Sequence, residues 1–455
     1  MKIVIAGLGK VGYPLAASLA DEGHDVTCID VREEHTARAN EALDVLALNG
    51  DCLNRSVLEN AGTADADVFV AVTRQDEVNM LACLFARRMG ARHTVARIRD
   101  PQYGTQLENL GSELEIDLVL NPEQDTAADI SRLLRFPAAL DIDTFHGGRV
   151  ELVGFRVLQS DFLADRSLLE VQRHLGRSRV LICAVERGGE TIIPNGSTVI
   201  RAGDKVYVGG EILAVSEFFR ALGRYSPKIR HVMIVGGSRT AVYLTRMLHS
   251  LKMSVKIFEK DMDRCQKLTQ LLPKAMIIHG DGTDHEVLLT ENLDRSDAFV
   301  ALTGNDESNL IVSLYAKQTG VEKAIAKVNR QNYRNIIAML NIDDFINPQA
   351  VTKYSVLKYI RSQQASHGSS MLALYQIADG TAEAVEFNVS ESSRHVGIPL
   401  KELGRRMKDG VLILSIQRGG EIIIPEGSTT IEPGDDVTVV CSTMKIQNLS
   451  DIFTD

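Results

Sequence analysis

Residues 70–90, VAVTRQDEVNMLACLFARRMG, recur as residues 300–320, VALTGNDESNLIVSLYAKQTG, at an offset of 230 with nine of 21 positions identical. Residues 187–204, RGGETIIPNGSTVIRAGD, recur as residues 418–435, RGGEIIIPEGSTTIEPGD, at an offset of 231 with 13 of 18 identical. Two separate pairs at one spacing make the chain a tandem duplication, with units near 1–225 and 229–455. Solenoid repeats run to about 20–50 residues. A period this long is two copies of one multi-element unit. The 455 residues alone would divide into roughly three domains of about 150; the repeat sets the organisation instead.

Each unit divides again. In its first part, short β-branched strands at 3–6, 26–30, 68–72 and 94–98 alternate with helix-period stretches such as Val11, Leu15 and Leu19. Strands apolar throughout and separated by helices predict a parallel sheet covered on both faces. The second part predicts strands at 150–157 and 180–185, a short helix at 167–175, and a hairpin at Gly188-Gly189. The expected fold class is α/β: two Rossmann-like, doubly wound parallel-sheet lobes, each followed by a small α+β lobe. The expected boundaries are 1–136, 145–225, 229–360 and 371–455, with linkers at 137–148, 223–228 and 361–370.

Composition narrows the function. Fifty Lys+Arg against 60 Asp+Glu leave a net charge of −10, which argues against an electrostatic grip on nucleic acid or anionic lipid. No apolar run approaches the roughly 20 residues that a spanning helix needs. Met1 leads directly into a strand-like run, so no signal peptide is expected. The six cysteines never form CxxC, which predicts reduced, buried thiols.

The chemistry-bearing motif opens the chain. Gly7-Leu8-Gly9-Lys10-Val11-Gly12 follows a buried strand and begins a helix, the context that makes GxGxxG informative. The first glycine permits a tight turn, the second lets backbone approach a pyrophosphate, and the third lets helix and strand pack closely. Helix-terminal amides then face the phosphates. Asp30 ends the second strand, where a carboxylate accepts ribose hydroxyls and repels a 2′-phosphate, favouring NAD or an adenosine nucleotide over NADP. In the second copy the loop reads Gly236-Gly237-Ser238-Arg239-Thr240-Ala241, and Glu259 retains the acid. The Ser238 Cβ is expected to intrude on a phosphate. That leaves the second site open between an altered pocket and a structural relic.

Paired positions extend both sites. Asp51 and Asp281 follow the third strands and suit either an adenine amino group or a helix-leading turn. Thr73 and Thr303 end the fourth strands, at the carboxyl edge where open α/β sheets bind ligands, and Arg97 and Lys327 end the fifth, within reach of phosphate.

Catalytic equipment is not expected. The string GLGKVGYPLA also looks like the opening of NAD-dependent nucleotide-sugar dehydrogenases, but those need a nucleophilic cysteine in a glycine-rich turn, and no cysteine here follows glycine. No HxxxH, HExxH or nucleophile elbow occurs, so neither a metal site nor a hydrolytic triad is expected. A duplicated nucleotide fold without a substrate domain reads as a sensor rather than an enzyme.

Two glycine-loop lobes ending in Asn121-Pro122 and Asn347-Pro348, alternating with small modules carrying RGGE…IP…GD, resemble the tandem regulator-of-potassium-conductance (RCK) arrangement of the TrkA-type subunits of Trk potassium uptake systems. The resemblance covers essentially the whole chain. It implies that Gly7, Leu8, Gly9, Lys10, Val11, Gly12, Asp30, Asp51, Cys52, Thr73 and Arg97 hold NAD(H), or ATP or ADP at the same site, and that Gly236, Glu259, Asp281, Thr303 and Lys327 line a second pocket. It further implies a cytoplasmic regulatory subunit, peripheral at the inner face of the cell membrane. Its partner would be a TrkH-like potassium-channel subunit, with four chains forming a ring of eight modules. The amphipathic segments 126–136 and 351–360 are candidates for the interface between modules, although packing within one chain would produce the same pattern.

Overall fold

The computed structural model describes residues 1–100, 114–175, 179–224, 228–330, 333, 345–364, 369–378, 381–391, 393, 395–442, 446 and 448–454. The chain divides into two compact units, one made of 1–135 with 229–359 and the other of 136–228 with 360–455. Duplicated parts have thus sorted by kind, N-lobe with N-lobe and C-lobe with C-lobe.

In the first N-lobe, β1 (Lys2–Ala6), β2 (Asp25–Asp30), β3 (Leu46–Asn49), β4 (Val68–Ala71), β5 (His93–Arg97) and β6 (Leu118–Leu120) alternate with α1 (Gly12–Asp21), α2 (Glu33–Ala42), α3 (Arg55–Asn60), α4 (Asp76–Met89) and α5 (Pro122–Arg135). The strands form one sheet of order β3-β2-β1-β4-β5-β6, with parallel registers such as Ile3 against Val26 and Val68. The order reverses between β1 and β4, the switch point at which such sheets bind ligands. Val68, Phe69, Val70 and Ala71 are all fully buried, because helices cover both faces. One face packs Phe69 and Ala71 against Ala82, Cys83 and Ala86 of α4.

The first C-lobe comprises β7 (Asp141–Phe145), β8 (Val150–Arg156), β9 (Arg166–Ser167), α6 (Leu168–Leu175), β10 (Val180–Arg187), β11 (Glu190–Ile192), β12 (Val199–Ile200), β13 (Lys205–Glu211) and α7 (Ile212–Ala221). Its main sheet, of order β11-β10-β13-β8-β7, is antiparallel. Gly188 and Gly189 sit at φ 61° and 86°, as a hairpin turn with two positive φ angles requires.

The second half repeats the plan. Its N-lobe holds β14 (His231–Val235), α8 (Arg239–Ser250), β15 (Ser254–Glu259), α9 (Met262–Leu271), β16 (Met276–His279), α10 (His285–Thr290), β17 (Ala298–Ala301), α11 (Asp306–Gln318), β18 (Lys323–Lys327), β19 (Phe345–Ile346) and α12 (Pro348–Gln364), in the order β16-β15-β14-β17-β18-β19. Its C-lobe holds β20 (Ser369–Ile377), β21 (Ala382–Val389), α13 (Leu400–Leu403), β22 (Val411–Arg418), β23 (Glu421–Ile423) and β24 (Asp436–Cys441).

Two expected linkers are corrected. The stretch 137–148 contains β7, which pairs with β8 from Asp141 to Phe145. In the stretch 361–370, α12 runs on to Gln364 and β20 begins at Ser369. Polar residues hid both segments, since β7 is the edge strand DIDTF and the last residues of α12 read RSQQ. Of the expected linker at 223–228, residues 225–227 lie outside the described residues.

Both Asn-Pro pairs start the helices α5 and α12 that follow the last strands of the N-lobe sheets. Asn121 Oδ1 accepts from Gln124 N at 3.0 Å, and Asn347 Oδ1 accepts from Gln349 N at 2.9 Å. Pro122 and Pro348 occupy the first helical positions, where a missing N–H costs nothing. Helix α5 packs on α8 of the other N-lobe, and Asn121 Nδ2 donates to Tyr243 Oη on that helix at 2.9 Å. Residues 122–135 thus pack against the other N-lobe of the same chain.

Candidate functional site

The first glycine loop gives each glycine a separate reason. Gly7 has φ +102°, and a Cβ there would lie 3.0 Å from Thr73 N. A Cβ on Gly12 would lie 1.8 Å from the Gly7 carbonyl oxygen, so the helix starts directly against the turn. Gly9 differs, because a Cβ there would meet no protein atom within 4 Å. Nothing in the chain demands glycine at that position; it faces open cavity, as a backbone meant to touch a phosphate would. Val11 precedes helix α1 without any side-chain cap, which leaves the Gly12 amide for a ligand.

Asp30 is 8% exposed. Its Oδ2 accepts from Leu8 N at 2.7 Å and lies 3.2 Å from His35 Nδ1, and its Oδ1 accepts from Arg32 N at 2.9 Å. Burial pushes its pKa up, but the Arg32 and Leu8 amides and His35 outweigh that and hold the carboxyl below its ordinary value. It is thus an ionised acceptor anchored to the loop, with lone-pair capacity left for a ribose hydroxyl.

The loop opens on a cavity of about 1280 Å³. Leu8, Lys10, Val11, Asp51, Cys52, Thr73 and Arg97 all line it. So do residues of the second N-lobe, among them Thr240, Lys327 and Asn329, which makes the cavity a shared property of both N-lobes. The lining carries seven Lys or Arg (Lys10, Arg32, Arg38, Arg74, Arg97, Arg99, Lys327) against three acids (Asp30, Asp51, Glu123). A chain of net charge −10 has gathered a positive interior here, which suits a polyanion. Arg97 Nε is buried with no hydrogen-bond partner; burial, and next Arg99, bring its pKa down to about 10. Lys327 Nζ donates to Leu302 O at 3.1 Å, and burial lowers its pKa. Excess buried cations and an unpaired guanidinium fit the phosphates of a nucleotide.

Several side chains named from sequence are held by the fold itself. Thr73 Oγ1 donates to Asn79 Oδ1 at 2.7 Å, and Thr303 Oγ1 to Asn309 Oδ1 at 2.6 Å. Asp51 Oδ1 accepts from Leu53 N at 2.9 Å, and Asp281 Oδ1 from Thr283 N at 2.9 Å, so both are turn residues leading into helices. Hydrogen bonds from Thr283 hold Asp281 below its ordinary pKa. Burial raises the Cys52 thiol to about 11, which leaves it a neutral wall.

The second set does not mirror the first. Gly236, at φ +95°, repeats Gly7 against Thr303 N, and Glu259 Oε2 accepts from Gly237 N at 2.9 Å. Ser238 also has a role within the fold. Its Oγ accepts from Ala241 N at 3.3 Å and caps α8, occupying an amide that α1 leaves free. Arg264, at the position matching His35, donates from Nε to the Gly237 carbonyl at 2.8 Å. Lys327, expected in the second pocket, lines the first cavity.

Sequence reasoning missed the residues that organise the cavity rim. Asn79 is fully buried and donates from Nδ2 to Arg97 O at 2.8 Å, tying the end of β5 to that of β4. Asp76 accepts from the Arg99 and Asp100 amides at 2.8 and 3.0 Å. The signal was available, since Thr73, Asp76 and Asn79 reappear unchanged as Thr303, Asp306 and Asn309.

Known proteins share this architecture. The TrkA-N domain matches residues 3–122 and 232–348, and the TrkA-C domain matches 152–223 and 384–454. The fold and loop thus define a tandem RCK-type protein. A Trk system potassium uptake protein TrkA homolog of Archaeoglobus fulgidus is 36% identical over 100% of both chains. The TrkA of Haemophilus influenzae is 32% identical over 98% of this chain and 96% of its own. The chain belongs to the TrkA family of Trk system potassium uptake proteins. Among solved structures, the GsuK RCK domain matches with TM-score 0.63 at 16% identity, covering 97% of this chain and 92% of its own. The GsuK channel bound to NAD matches with TM-score 0.64 at 16% identity, covering 97% of this chain and 76% of its own. At that identity the likeness concerns the fold.

Proposed function

We propose that the first N-lobe loop binds NAD(H) or an adenine nucleotide such as ATP or ADP, and that the chain is a regulatory subunit gating a Trk-type membrane potassium channel. The observation that carries the reading is Gly9, a glycine required by no protein atom, over a cavity with four more basic than acidic residues. The relatives are named potassium uptake proteins, and a protein of the same fold is described as bound to NAD. When bound, the nucleotide would supply charge and contacts rather than chemistry. Gly9 would admit its pyrophosphate, Asp30 its ribose, and Arg97 and Lys327 its phosphate charge. Because Arg97 and Lys327 belong to different N-lobes, occupancy would favour one relative arrangement of those lobes, and a ligand shifts an equilibrium only through such differential contacts.

The channel partner would be a TrkH-like subunit, and four chains would give a ring of eight modules on the cytoplasmic face of the membrane. Among the described residues no helix is long and apolar enough to cross a membrane, so the reading assigns the ion pathway to the partner. The competing dehydrogenase reading lacks a nucleophile. All six cysteines are buried, and burial raises Cys28 to about 12, where a thiolate is scarce at neutral pH.

Titration of the purified protein with NADH, NAD, ATP and ADP by calorimetry tests the proposal. Saturable binding without NADH consumption is expected, with Asp30→Ala weakening it by roughly tenfold or more. Steady turnover would favour the enzyme, and equal affinity in the variant would remove Asp30 from the site.

A further inference from the structure

The two C-lobes form one unit from sheets of matching strand order, and the matching positions of its seam have diverged. The residues that follow β7 and β20, His146 and Ala378, both adopt left-handed backbone, with φ 52° and 49°. Such strain in non-glycine residues persists where the surroundings impose it. Ala378 donates its amide to Tyr207 Oη at 2.8 Å, an ordinary polar seam contact. His146 enters the second C-lobe instead and meets side chains from three of its strands.

His146 is 3% exposed. Its Nε2 lies 2.9 Å from Ser415 Oγ and 3.0 Å from Thr438 Oγ1. Its amide donates to Glu386 Oε2 at 2.9 Å, fixing that carboxylate. Its Nδ1 stands 3.1 Å from Glu386 Oε1, yet no hydrogen bond is aligned on that nitrogen. Asp436 begins β24 two residues before Thr438, and one ligand atom from each of His146, Glu386 and Asp436 lies within 4.8 Å of the others. Asp436 Oδ1 accepts from Asn388 Nδ2 at 2.7 Å, which orients it. Gln417, paired with Asp436 across the sheet, carries a buried Oε1 that no donor reaches.

A proton shared between imidazole and carboxylate would give an aligned hydrogen bond. A nitrogen and an oxygen ligating one cation, each at about 2.0–2.2 Å, stand about 3.0–3.4 Å apart without pointing at each other. A hydrogen-bond partner on the far ring nitrogen is the usual means of orienting such a ligand, and the Ser415 and Thr438 hydroxyls stand at that position.

We propose that His146 Nδ1, Glu386 and Asp436 form a site for a divalent first-row transition metal that cross-links the two C-lobes. The imidazole ligand selects against Mg²⁺ and Ca²⁺, and Zn²⁺ is the natural probe. The site is independent of the nucleotide reading. Its ligands lie about 240 and 290 residues apart in sequence, so no spacing motif announces it.

The test uses the full chain, stripped with a chelator and dialysed. Calorimetry with Zn²⁺ should show one saturable site per chain, Zn²⁺ should raise the Tm, and Co²⁺ should give a visible absorption band; Mg²⁺ should do none of these. Glu386→Gln and Asp436→Asn should each weaken Zn²⁺ binding by roughly tenfold or more, with the far-UV circular dichroism of the stripped proteins unchanged. If Glu386→Gln does not fold, Asp436→Asn, half-buried at a strand end, carries the test alone. A stripped wild type that takes up no Zn²⁺, or an Asp436→Asn variant that binds it as wild type does, would overturn the proposal.

Discussion

At the scale of single residues, glycines that look interchangeable in a motif separate by what surrounds them. Gly9→Ala meets no protein atom within 4 Å, so its Tm should match wild type while nucleotide affinity falls by roughly tenfold or more. Gly12→Ala drives a Cβ to 1.8 Å from a carbonyl oxygen, and overpacking of that kind should cost about 1–3 kcal/mol. Chemical denaturation and calorimetry on the two variants would show whether stability and binding divide this way. Asp30 adds a pH signature. Its carboxyl titrates near 3.9 in an unfolded chain and lower in the folded one. Its contribution to stability is therefore present above about pH 4 and is lost as pH falls through the folded-state value. The Tm difference between wild type and Asp30→Asn should shrink from pH 6 to pH 3; a constant difference would mean that the charge plays no part.

At the scale of elements, the two N-lobes share a strand order and differ at the helix start beside the glycine loop. Helix α1 has no cap, whereas Ser238 caps α8, and Arg264 occupies the mouth of the second loop. A ligand bound at the first loop should therefore feel Lys327 from across the lobe boundary. Lys327→Met should lower nucleotide affinity several-fold and flatten its salt dependence, since one cation fewer faces the phosphates. Calorimetry at two ionic strengths measures both, and unchanged values would confine the site to the first lobe. The elements themselves were largely legible. Strands such as Val68–Ala71 are apolar at every position because helices cover both faces. Strand β7 was not legible, since DIDTF alternates polar residues along a sheet edge.

At the scale of the whole molecule, like lobes pair within each unit. Phe145, Ala184 and Tyr207 of the first C-lobe share a core with Ile377, Ala384 and Leu414 of the second. Tyr207 Oη also lies 3.2 Å from Asp141 Oδ2. Tyr207→Phe would leave the buried Ala378 amide without its acceptor, and should cost about 1–3 kcal/mol in urea unfolding. A neutral result would mean that solvent replaces the hydroxyl at the seam.

What the sequence determined by itself is everything that repeats or alternates locally. The duplication, the parallel-sheet fold class and the glycine-loop turn were all readable, because turn chemistry and strand burial act over a few residues. The conspicuous RGGE…GD repeat proved to be local as well, since Arg187 pairs with Asp204 and Arg418 with Asp435 in matching bidentate contacts. Only the tertiary structure decided that Lys327 serves the first cavity and that His146 meets Glu386 and Asp436. Each depends on which lobe packs against which. Lobe pairing is settled by complementary buried surfaces and backbone donors far apart in sequence, and leaves no periodic trace along the chain.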